Sequence, residues 1–296
     1  MSENERRAET QRWSGPHPHH QLEVELVEDI GQSNRVVSVE DGEVRLLSPA
    51  VSHEVAQLAK DRDWPELLSE SQMKHSRSGT HLVAFRRTDD ELVPQLIASA
   101  LVHPIPNWRR ERGPDEFTVW REPFFGGDAF EAVCGRGHLE EVLLQVAPED
   151  GPALDLSVLP VLPTSTRDSD ERLLYALQPL SPVAIDRFTI SSRSPDKFLD
   201  LYETFTRGCQ QLYDKGHAVC VGVTYRRPFI EILEALELFG GQVCHALVGK
   251  RGATKDEEPL YKVLVFTQNV ADAGTRIPGQ VTRATIRLLR RHQLDT

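Results

Sequence analysis

The sequence predicts an α/β layered fold, in which helices flank a mixed central sheet and an irregular insertion separates the two halves of that sheet. Short apolar runs, some of which alternate with charged residues, are typical of strands. Longer segments with apolar residues three and four positions apart, beginning at proline and ending at glycine, are typical of helices. In the C-terminal half these two kinds of segment alternate, and that order favours parallel strands joined by helices.

The N-terminal part of the chain supplies the first half of the predicted domain. Residues 1–20 are polar and contain Gly and Pro, which predicts a disordered tail. The run QLEVELVED alternates apolar residues with glutamate and predicts a short strand. Asp41-Gly42, between two β-rich runs, predicts a hairpin. Ser48-Pro49 predicts the start of a helix with the serine as its N-cap.

Two further apolar runs, HLVAF and LIASALV, flank the turn-forming residues Thr88-Asp89-Asp90 and predict an antiparallel strand pair. Pro94 lacks an N–H group for a strand ladder, so we expect an edge or a bulge beside it. Residues 104–181 contain apolar runs broken by proline, and we expect an irregular insertion or a small subdomain there. Residues 21–103 and 182–296 then form the two halves of one domain.

The C-terminal half alternates strands and helices. VAIDRFTIS predicts a strand, and Ser194-Pro195 opens an amphipathic helix that Gly216 ends. HAVCVGVTY predicts a strand buried on both faces, and a helix opens at Pro228 and again ends at glycine. VCHALVG and YKVLVFT predict two more strands, and VTRATIRLLRRHQ predicts a basic amphipathic helix. We expect the strands at 183–190 and 218–225 to be parallel neighbours that diverge at their C-terminal ends.

Composition narrows the class of protein. The chain has 296 residues and a formal net charge of −11, which disfavours nucleic-acid binding as its main function because phosphates are bound by basic faces. No run of about 18 apolar residues occurs, so we expect no membrane-spanning segment. The polar N-terminus predicts no secretory signal, and a cytoplasmic location is expected.

The four cysteines form no C-x-x-C pair. We therefore expect buried reduced thiols rather than a zinc site or a disulfide framework, and no metal cofactor. The cysteines are Cys134, Cys209, Cys220 and Cys244.

Element order and two fragments resemble the GNAT-type acyltransferase superfamily. The order within residues 182–267 is strand, helix, strand, helix, strand, strand, as in the C-terminal part of that fold, and residues 48–103 resemble its N-terminal part. IDRFTIS followed by a helix resembles the arginine-bearing strand of autoinducer synthases and of long-chain N-acyl amino acid synthases. VCVGVTYRRPFIEILEALELFGG looks like the GNAT strand, short turn, helix and closing glycine.

The resemblance implies N-acyl transfer. A thioester donor, either acyl-CoA or the acyl-phosphopantetheine of an acyl carrier protein, would pass its acyl group to the amine of a small-molecule acceptor. Backbone N–H groups of the splayed strand at 187–191 would polarise the thioester. The residues implied to hold the donor are Thr189, Ser191, Arg193, Ser194 and Lys197.

The donor loop departs from the pattern of the family. A typical GNAT binds pyrophosphate with an R/Q-x-x-G-x-G/A loop at the start of the helix after the central strand. Here that place reads SSRSPDK, which has no glycine, while Pro195 removes an N–H group and Asp196 adds a negative charge. Arg193 and Lys197 are placed to compensate through their side chains. We expect weak binding of free coenzyme A, which fits either a carrier-protein donor or a lost donor site.

Four residues are candidates for catalysis. Arg187 matches the arginine of the family, and it is either an anion contact or a structural partner of a glutamate such as Glu231, Glu234 or Glu237. Asp186 points to the opposite face of the strand, either as a base for the acceptor amine or as a solvated or paired carboxylate. His103 is a second candidate base at a strand end. Tyr225 lies nearest to the place of the tyrosine acid of the family.

Two functions stay open at this level. The first is an acyltransferase, and the alternative is a catalytically inactive GNAT-like module that binds a ligand or another protein. The basic segment RLLRRH near the C-terminus is either a docking face or the solvated face of a capping helix. As a docking face it would receive an acidic carrier or a second copy of the chain in a homodimer.

Overall fold

The computed structural model describes residues 21–39, 42–61, 68, 73–74, 77, 79–87, 92–104, 180–191, 196–224, 227–251 and 258–277. The predicted N-terminal tail and the predicted basic helix near the C-terminus lie outside the described residues. Nearly all of the predicted insertion at 104–181 lies outside them as well.

The first half of the described chain contributes five strands and one α-helix. They are β1 (Gln21–Val27), β2 (Val36–Ser38), β3 (Val44–Leu46), α1 (Leu47–Asp61), β4 (Thr80–Arg87) and β5 (Gln95–Pro104). The second half contributes four strands and three α-helices. They are β6 (Val183–Ile190), α2 (Lys197–Asp214), β7 (Val219–Thr224), α3 (Arg227–Leu238), β8 (Val243–Arg251), β9 (Glu258–Phe266) and α4 (Thr267–Arg276).

The strands form one mixed sheet in the order β1-β4-β5-β6-β7-β9-β8, with the β2–β3 hairpin attached to β5 through the pair Ser38 and Gln95. Along that order, β6 and β7 pair in parallel and every other neighbouring pair is antiparallel. The ladder between β5 and β6 joins the two halves of the chain into a single sheet. The predicted α/β class with a mixed central sheet is confirmed.

Helices cover both faces of the sheet. Strand alternation sends neighbouring β4 residues to opposite faces: Val83 packs into a core cluster with Val51 and Val55 of α1. Leu82 packs into the larger cluster on the other face, with residues of α2, α3 and α4 such as Phe205. The cavity described below lies on that second face.

The predicted strands and the hairpin are confirmed, and so are the glycine-ended helices. Gly216 follows α2 with φ at 86°, and Gly240 follows α3 with φ at 89°, a left-handed conformation that glycine adopts without a Cβ clash. The predicted cap of α1 is wrong. This helix begins at Leu47, and the Ser48 hydroxyl donates to the carbonyl of Arg77 at 2.8 Å.

The sequence patterns did not predict α4. The helix has no side-chain N-cap, and its buried residues are mostly small. Its place is set by α2: the Tyr202 hydroxyl donates to the Gly274 carbonyl at 2.7 Å. A Cβ on Gly274 would lie 2.9 Å from the Thr206 side chain, so glycine permits this close approach.

Candidate functional site

The site begins where β6 and β7 part. Their parallel ladder pairs Val183 with Cys220, Ala184 with Val221 and Ile185 with Gly222. In the described chain the ladder ends there, although β6 continues to Ile190 and β7 to Thr224. The predicted parallel pair that diverges at its C-terminal end is confirmed.

A bulge in β6 accounts for the divergence. Between the pairs Leu101–Asp186 and Ser99–Thr189, β6 advances three residues while β5 advances two. Arg187 lies in this step with φ at 53°, in the left-handed region. An extra residue of this kind bends a strand and increases its twist. Because the step follows directly after Ile185, β6 turns away from β7 at the point where their ladder ends.

A cavity of about 70 Å³ opens along this divergence. Its wall comes from β6, β7, β9, α2 and α3, and it is mostly apolar. The lining residues are Ile185, Arg187, Phe188, Leu201, Phe205, Cys220, Val221, Gly222, Thr224, Phe229, Val263 and Val265. Among these side chains only those of Arg187, Thr224 and Cys220 carry a polar atom, so the cavity suits an apolar ligand group with one polar end.

Three phenylalanines form one side of the cavity. The rings of Phe205 and Phe229 meet edge to face, with centroids 4.7 Å apart and planes at 81°. Phe188 lies 6.4 Å from Phe229 between ring centroids. Sequence reasoning missed these residues as site residues because an apolar residue on an amphipathic helix reads as ordinary core.

Arg187 is 5% exposed, and its charge acts on a neighbouring histidine. His81 on β4 is buried and its Nδ1–H donates to the Gly79 carbonyl at 2.9 Å. Burial lowers the pKa of His81 to about 4, the hydrogen bond to Gly79 opposes this, and the Arg187 guanidinium lowers it further. A neutral imidazole therefore lies beside the charged arginine.

Thr189 and Ser191, which were predicted to hold the donor, lie against β5. The Thr189 hydroxyl is 2.8 Å from the Ser99 hydroxyl, and both are buried. The backbone N–H of Ser191 donates to the Ile97 carbonyl at 2.8 Å. Ser99 pairs with Val83, whose side chain packs on the α1 side, so Thr189 faces α1 rather than the cavity.

Of the other predicted site residues, those that the structure describes lie in two places. Asp186 lies in register with Leu101, two positions before His103 on β5. Lys197 is the first residue of α2 and is exposed. Arg193, Ser194 and Tyr225 lie outside the described residues. The structure thus brings Asp186, Arg187 and His103 to the same pair of strands, and their roles stay predictions.

The N-terminus of α2 is capped by its own carboxylate. Asp196 Oδ1 accepts hydrogen bonds from the backbone N–H groups of Phe198 at 3.2 Å and Leu199 at 3.0 Å. These are groups that would meet a phosphate at a helix N-terminus. The Asp196 carboxylate therefore occupies N–H groups that a phosphate at this end of the helix would need.

Two thiols meet at one end of the cavity. Cys220 on β7 and Cys209 on α2 are both free and buried. Burial raises the pKa of the Cys209 thiol, and a hydrogen bond with Cys220 adds to this. The Cys209 thiol therefore stays protonated at neutral pH, which suits a buried wall and not a nucleophile.

Two kinds of feature are absent from the described residues. No helix in the described ranges is long and apolar enough to span a bilayer. Within the same ranges, no group of three or more His, Cys, Asp or Glu side chains is placed to hold a metal ion.

The fold class is an α/β layered mixed sheet in which the parallel strands β6 and β7 diverge. No family model and no curated protein matches the chain. Several solved structures are similar to it, among them those of three proteins. A structure of TofI in a ternary complex with an inhibitor and MTA has 10% identity and a TM-score of 0.37, over 87% of this chain and 98% of that one.

The acyl-homoserine lactone synthase LasI has 10% identity and a TM-score of 0.38, over 90% of this chain and 98% of that one. BjaI, a CoA-dependent acyl-homoserine lactone synthase solved with SAM and isopentyl-CoA, has 11% identity and a TM-score of 0.41, over 91% and 100% of the two chains.

Proposed function

We propose that this chain is an acyltransferase that moves an acyl group from a thioester donor to the amine of a small molecule. The observation that carries the proposal is the apolar cavity at the point where β6 and β7 diverge, with Arg187 in its wall. A thioester has an apolar acyl chain and one polar carbonyl. The cavity likewise has a mostly apolar wall and a few polar groups, among them Arg187 and Thr224. Direct attack of the amine on the carbonyl gives an amide and releases the donor thiol, with no covalent enzyme intermediate.

Backbone polarisation of the carbonyl follows from the register of β6. The Ser191 N–H points to β5, where it meets the Ile97 carbonyl. Successive N–H groups of a strand point to alternate sides, so the Ile190 N–H is directed to the side from which β7 has diverged. A carbonyl at the mouth of the cavity would accept a hydrogen bond there, and the bond would strengthen as the oxygen gains charge in the transition state.

Donor binding in this proposal relies on side chains more than on a helix N-terminus. Asp196 occupies the N–H groups of Phe198 and Leu199, so a pyrophosphate would have to displace a carboxylate. We assign the donor arm to Arg193, Ser194 and Lys197. Either acyl-CoA or the acyl-phosphopantetheine of a carrier protein has such an arm, and the acidic chain would receive an acidic carrier only at a basic patch.

Acceptor deprotonation requires a base near the carbonyl. An amine is protonated at neutral pH and must lose a proton before or during attack. We assign this role to Asp186, which lies next to the bulge, with His103 on the adjacent strand as the second candidate. Tyr225 follows the C-terminal end of β7 by one residue and is assigned to the leaving thiolate as its acid.

A transfer assay tests the proposal directly. The chain is incubated with acyl-CoA and acyl-pantetheine thioesters and a panel of small amines, and both free thiol and acylated amine are measured. We expect thiol release that depends on the amine and matches the amide formed. The alternative, a module that binds without transfer, predicts a thioester-induced rise of melting temperature, about 2.7 kcal/mol of stabilisation at a hundredfold excess over Kd, with no thiol release.

A further inference from the structure

The cavity beside Arg187 is open at one end and closed at the other. At the mouth, Phe188, Thr224 and Phe229 are only partly buried. At the far end, Cys220 is 3% exposed and Val265, its partner in the β7–β9 register, is 1% exposed. An extended apolar ligand group that enters at the mouth therefore runs along β7 toward Cys220 and stops there.

The enclosed part of the cavity, from the last rung of the β6–β7 ladder to the closed end, is short. Ile185 and Gly222 form the last rung before the divergence, and Cys220 lies two residues deeper on β7. Two residues of a strand span roughly 7 Å. Beyond Cys220 the wall continues into Cys209 of α2, which is 1% exposed and hydrogen-bonded to Cys220, so the floor is part of the core.

The volume agrees with the depth. The cavity measures about 70 Å³, roughly half the volume of an apolar cavity that holds benzene. By that comparison it accommodates roughly three carbon atoms beyond the carbonyl. Phe205, 4% exposed and held edge to face by Phe229, closes the side through which a longer chain would have to pass.

We propose that the cavity selects a short acyl group of about the size of butanoyl, and that Phe205 and the Cys209–Cys220 floor set the upper limit. The identification of the ligand as an acyl group rests on the proposed function, while the size limit rests on the cavity alone. A long fatty chain would require the Phe205 ring to leave its position against Phe229. The donor is then a short-chain thioester, whichever arm carries it.

Cys220 provides a reporter of occupancy that does not require turnover. Acetyl, butanoyl, octanoyl and dodecanoyl pantetheine thioesters are added to the full chain, and the small reagent methyl methanethiolsulfonate is then added, which reaches the buried Cys220 thiol through the cavity that it lines. The rate at Cys220 is read by peptide mass spectrometry. We expect butanoyl pantetheine at ten times its Kd to slow this labelling about tenfold, and the octanoyl and dodecanoyl probes to leave it unchanged.

Two variants move the limit in a predicted direction. Phe205→Ala removes the side wall and should allow the octanoyl probe to protect Cys220. Phe205→Leu keeps more of the core and should shift protection only part of the way, so the test survives if Phe205→Ala does not fold. Phe85→Leu is the matched control, since Phe85 is a fully buried phenylalanine in the cluster on the α1 side. It should leave the order of the probes as it is.

Protection of the unchanged chain by octanoyl or dodecanoyl pantetheine as strong as that by butanoyl would overturn the size limit. So would an absence of protection by every probe. Failure of the proposed function looks different, because short probes then protect Cys220 while the transfer assay releases no thiol with any amine.

Discussion

At the scale of single residues, Arg187 combines a left-handed backbone with a buried charge. Its φ of 53° is costly for a residue with a Cβ, of the order of 1–3 kcal/mol, and such strain persists only where surrounding structure holds it. The same residue forms the step that separates β6 from β7 and lines the cavity. One residue thus creates the opening and places a positive charge in its wall.

Removal of the Arg187 side chain should affect both activity and stability. We expect Arg187→Ala to abolish transfer and to lower the free energy of unfolding by ~3–5 kcal/mol. The buried guanidinium is compensated by neighbouring groups, and the alanine variant leaves those groups without their counter-charge. Arg187→Lys should keep more stability but lose the bidentate geometry, so transfer should still fall. Urea unfolding and turnover measured on the same samples separate the two effects.

Arg187→Gly is the control for the backbone. Glycine adopts a positive φ without a Cβ clash, so this variant should be more stable than Arg187→Ala by about 1 kcal/mol while remaining inactive. Equal activity of the alanine variant and the unchanged chain would show that Arg187 has no part in transfer.

His81 should make the fold acid-sensitive. Its pKa is lowered from 6.5 to about 4 in the folded chain, so between these values the unfolded chain binds a proton that the folded chain does not. The contribution of His81 to the free energy of unfolding is fully present above pH 6.5. It is lost as the pH falls toward 4, by about 3 kcal/mol in all. Urea unfolding at pH 7, 6, 5 and 4, a series that spans the two pKa values, measures how the free energy of unfolding changes with pH.

A His81→Gln variant is the control for that slope. Glutamine does not titrate, so the difference between the two chains isolates His81 from groups such as Glu203, whose pKa is raised mainly by burial. That glutamate acts in the opposite direction, since its contribution is present at low pH and is lost as the pH rises through its raised pKa. Identical slopes in both chains would contradict the buried neutral His81.

At the scale of elements, the N-terminus of α2 decides how the donor is held. Asp196 caps the helix and places a negative charge where a phosphate would bind. We expect calorimetry to find no binding of free coenzyme A in the micromolar range. Asp196→Asn keeps a capping side chain and removes the charge, so it should bind coenzyme A more tightly than the unchanged chain.

Asp196→Ala serves as the comparison at the same position. It removes both the charge and the cap, and the lost cap should lower stability by about 1 kcal/mol. Micromolar affinity of the unchanged chain for free coenzyme A would refute the view that the cap excludes the pyrophosphate.

The contact of α2 with β4 depends on a glycine. A Cβ on Gly208 would lie 2.3 Å from Leu82 Cδ2, inside the core. Gly208→Ala should therefore destabilise the fold by about 1–3 kcal/mol through overpacking, although alanine favours the helix. Melting and urea unfolding of this variant and of Gly208→Ala with Leu82→Val test the cause. The double variant should lose less free energy of unfolding than the two single variants lose together. A loss equal to the sum of the two single losses would argue against the contact.

At the scale of the whole molecule, the ladder between β5 and β6 unites two halves that are far apart in sequence. It pairs Ala98 with Ile190 at one end and Pro104 with Val183 at the other. The larger core cluster also crosses this boundary, with Leu82 and Val102 packing beside Leu201 and Val265. On the face covered by α2, α3 and α4, strands of both halves therefore share one core cluster.

Both halves should therefore unfold together. Native-state hydrogen exchange should show the amides of β4 and β5 opening with those of β6 and β7, at the same free energy and with the same urea dependence. An opening of β1, β4 and β5 at clearly lower free energy than β6 and β7 would instead indicate two independent units.

Local pattern was enough to predict most of the elements around the site. Alternation gave β1, Asp41-Gly42 gave the β2–β3 hairpin, and Gly216 marked the end of α2, because each depends on residues adjacent in sequence. The order of strand, helix and strand also predicted the parallel pair of β6 and β7. Arg187 was predicted as a site residue from its place in an apolar strand; the structure places it in the cavity wall, and its role stays a prediction.

Other features were decided only by contacts between distant residues. The left-handed step at Arg187 depends on the register with β5, and the cavity depends on Phe205 and Phe229 meeting across two helices. The helix α4 carries weak local signals and is held by Tyr202 and Thr206 of α2. Periodicity records which face of an element is apolar, but not which residue lies opposite that face. The sequence therefore determined most of the elements, their order and the pair of strands that diverges, while the tertiary structure decided the left-handed step at Arg187, the position of α4 and the residues that line the cavity.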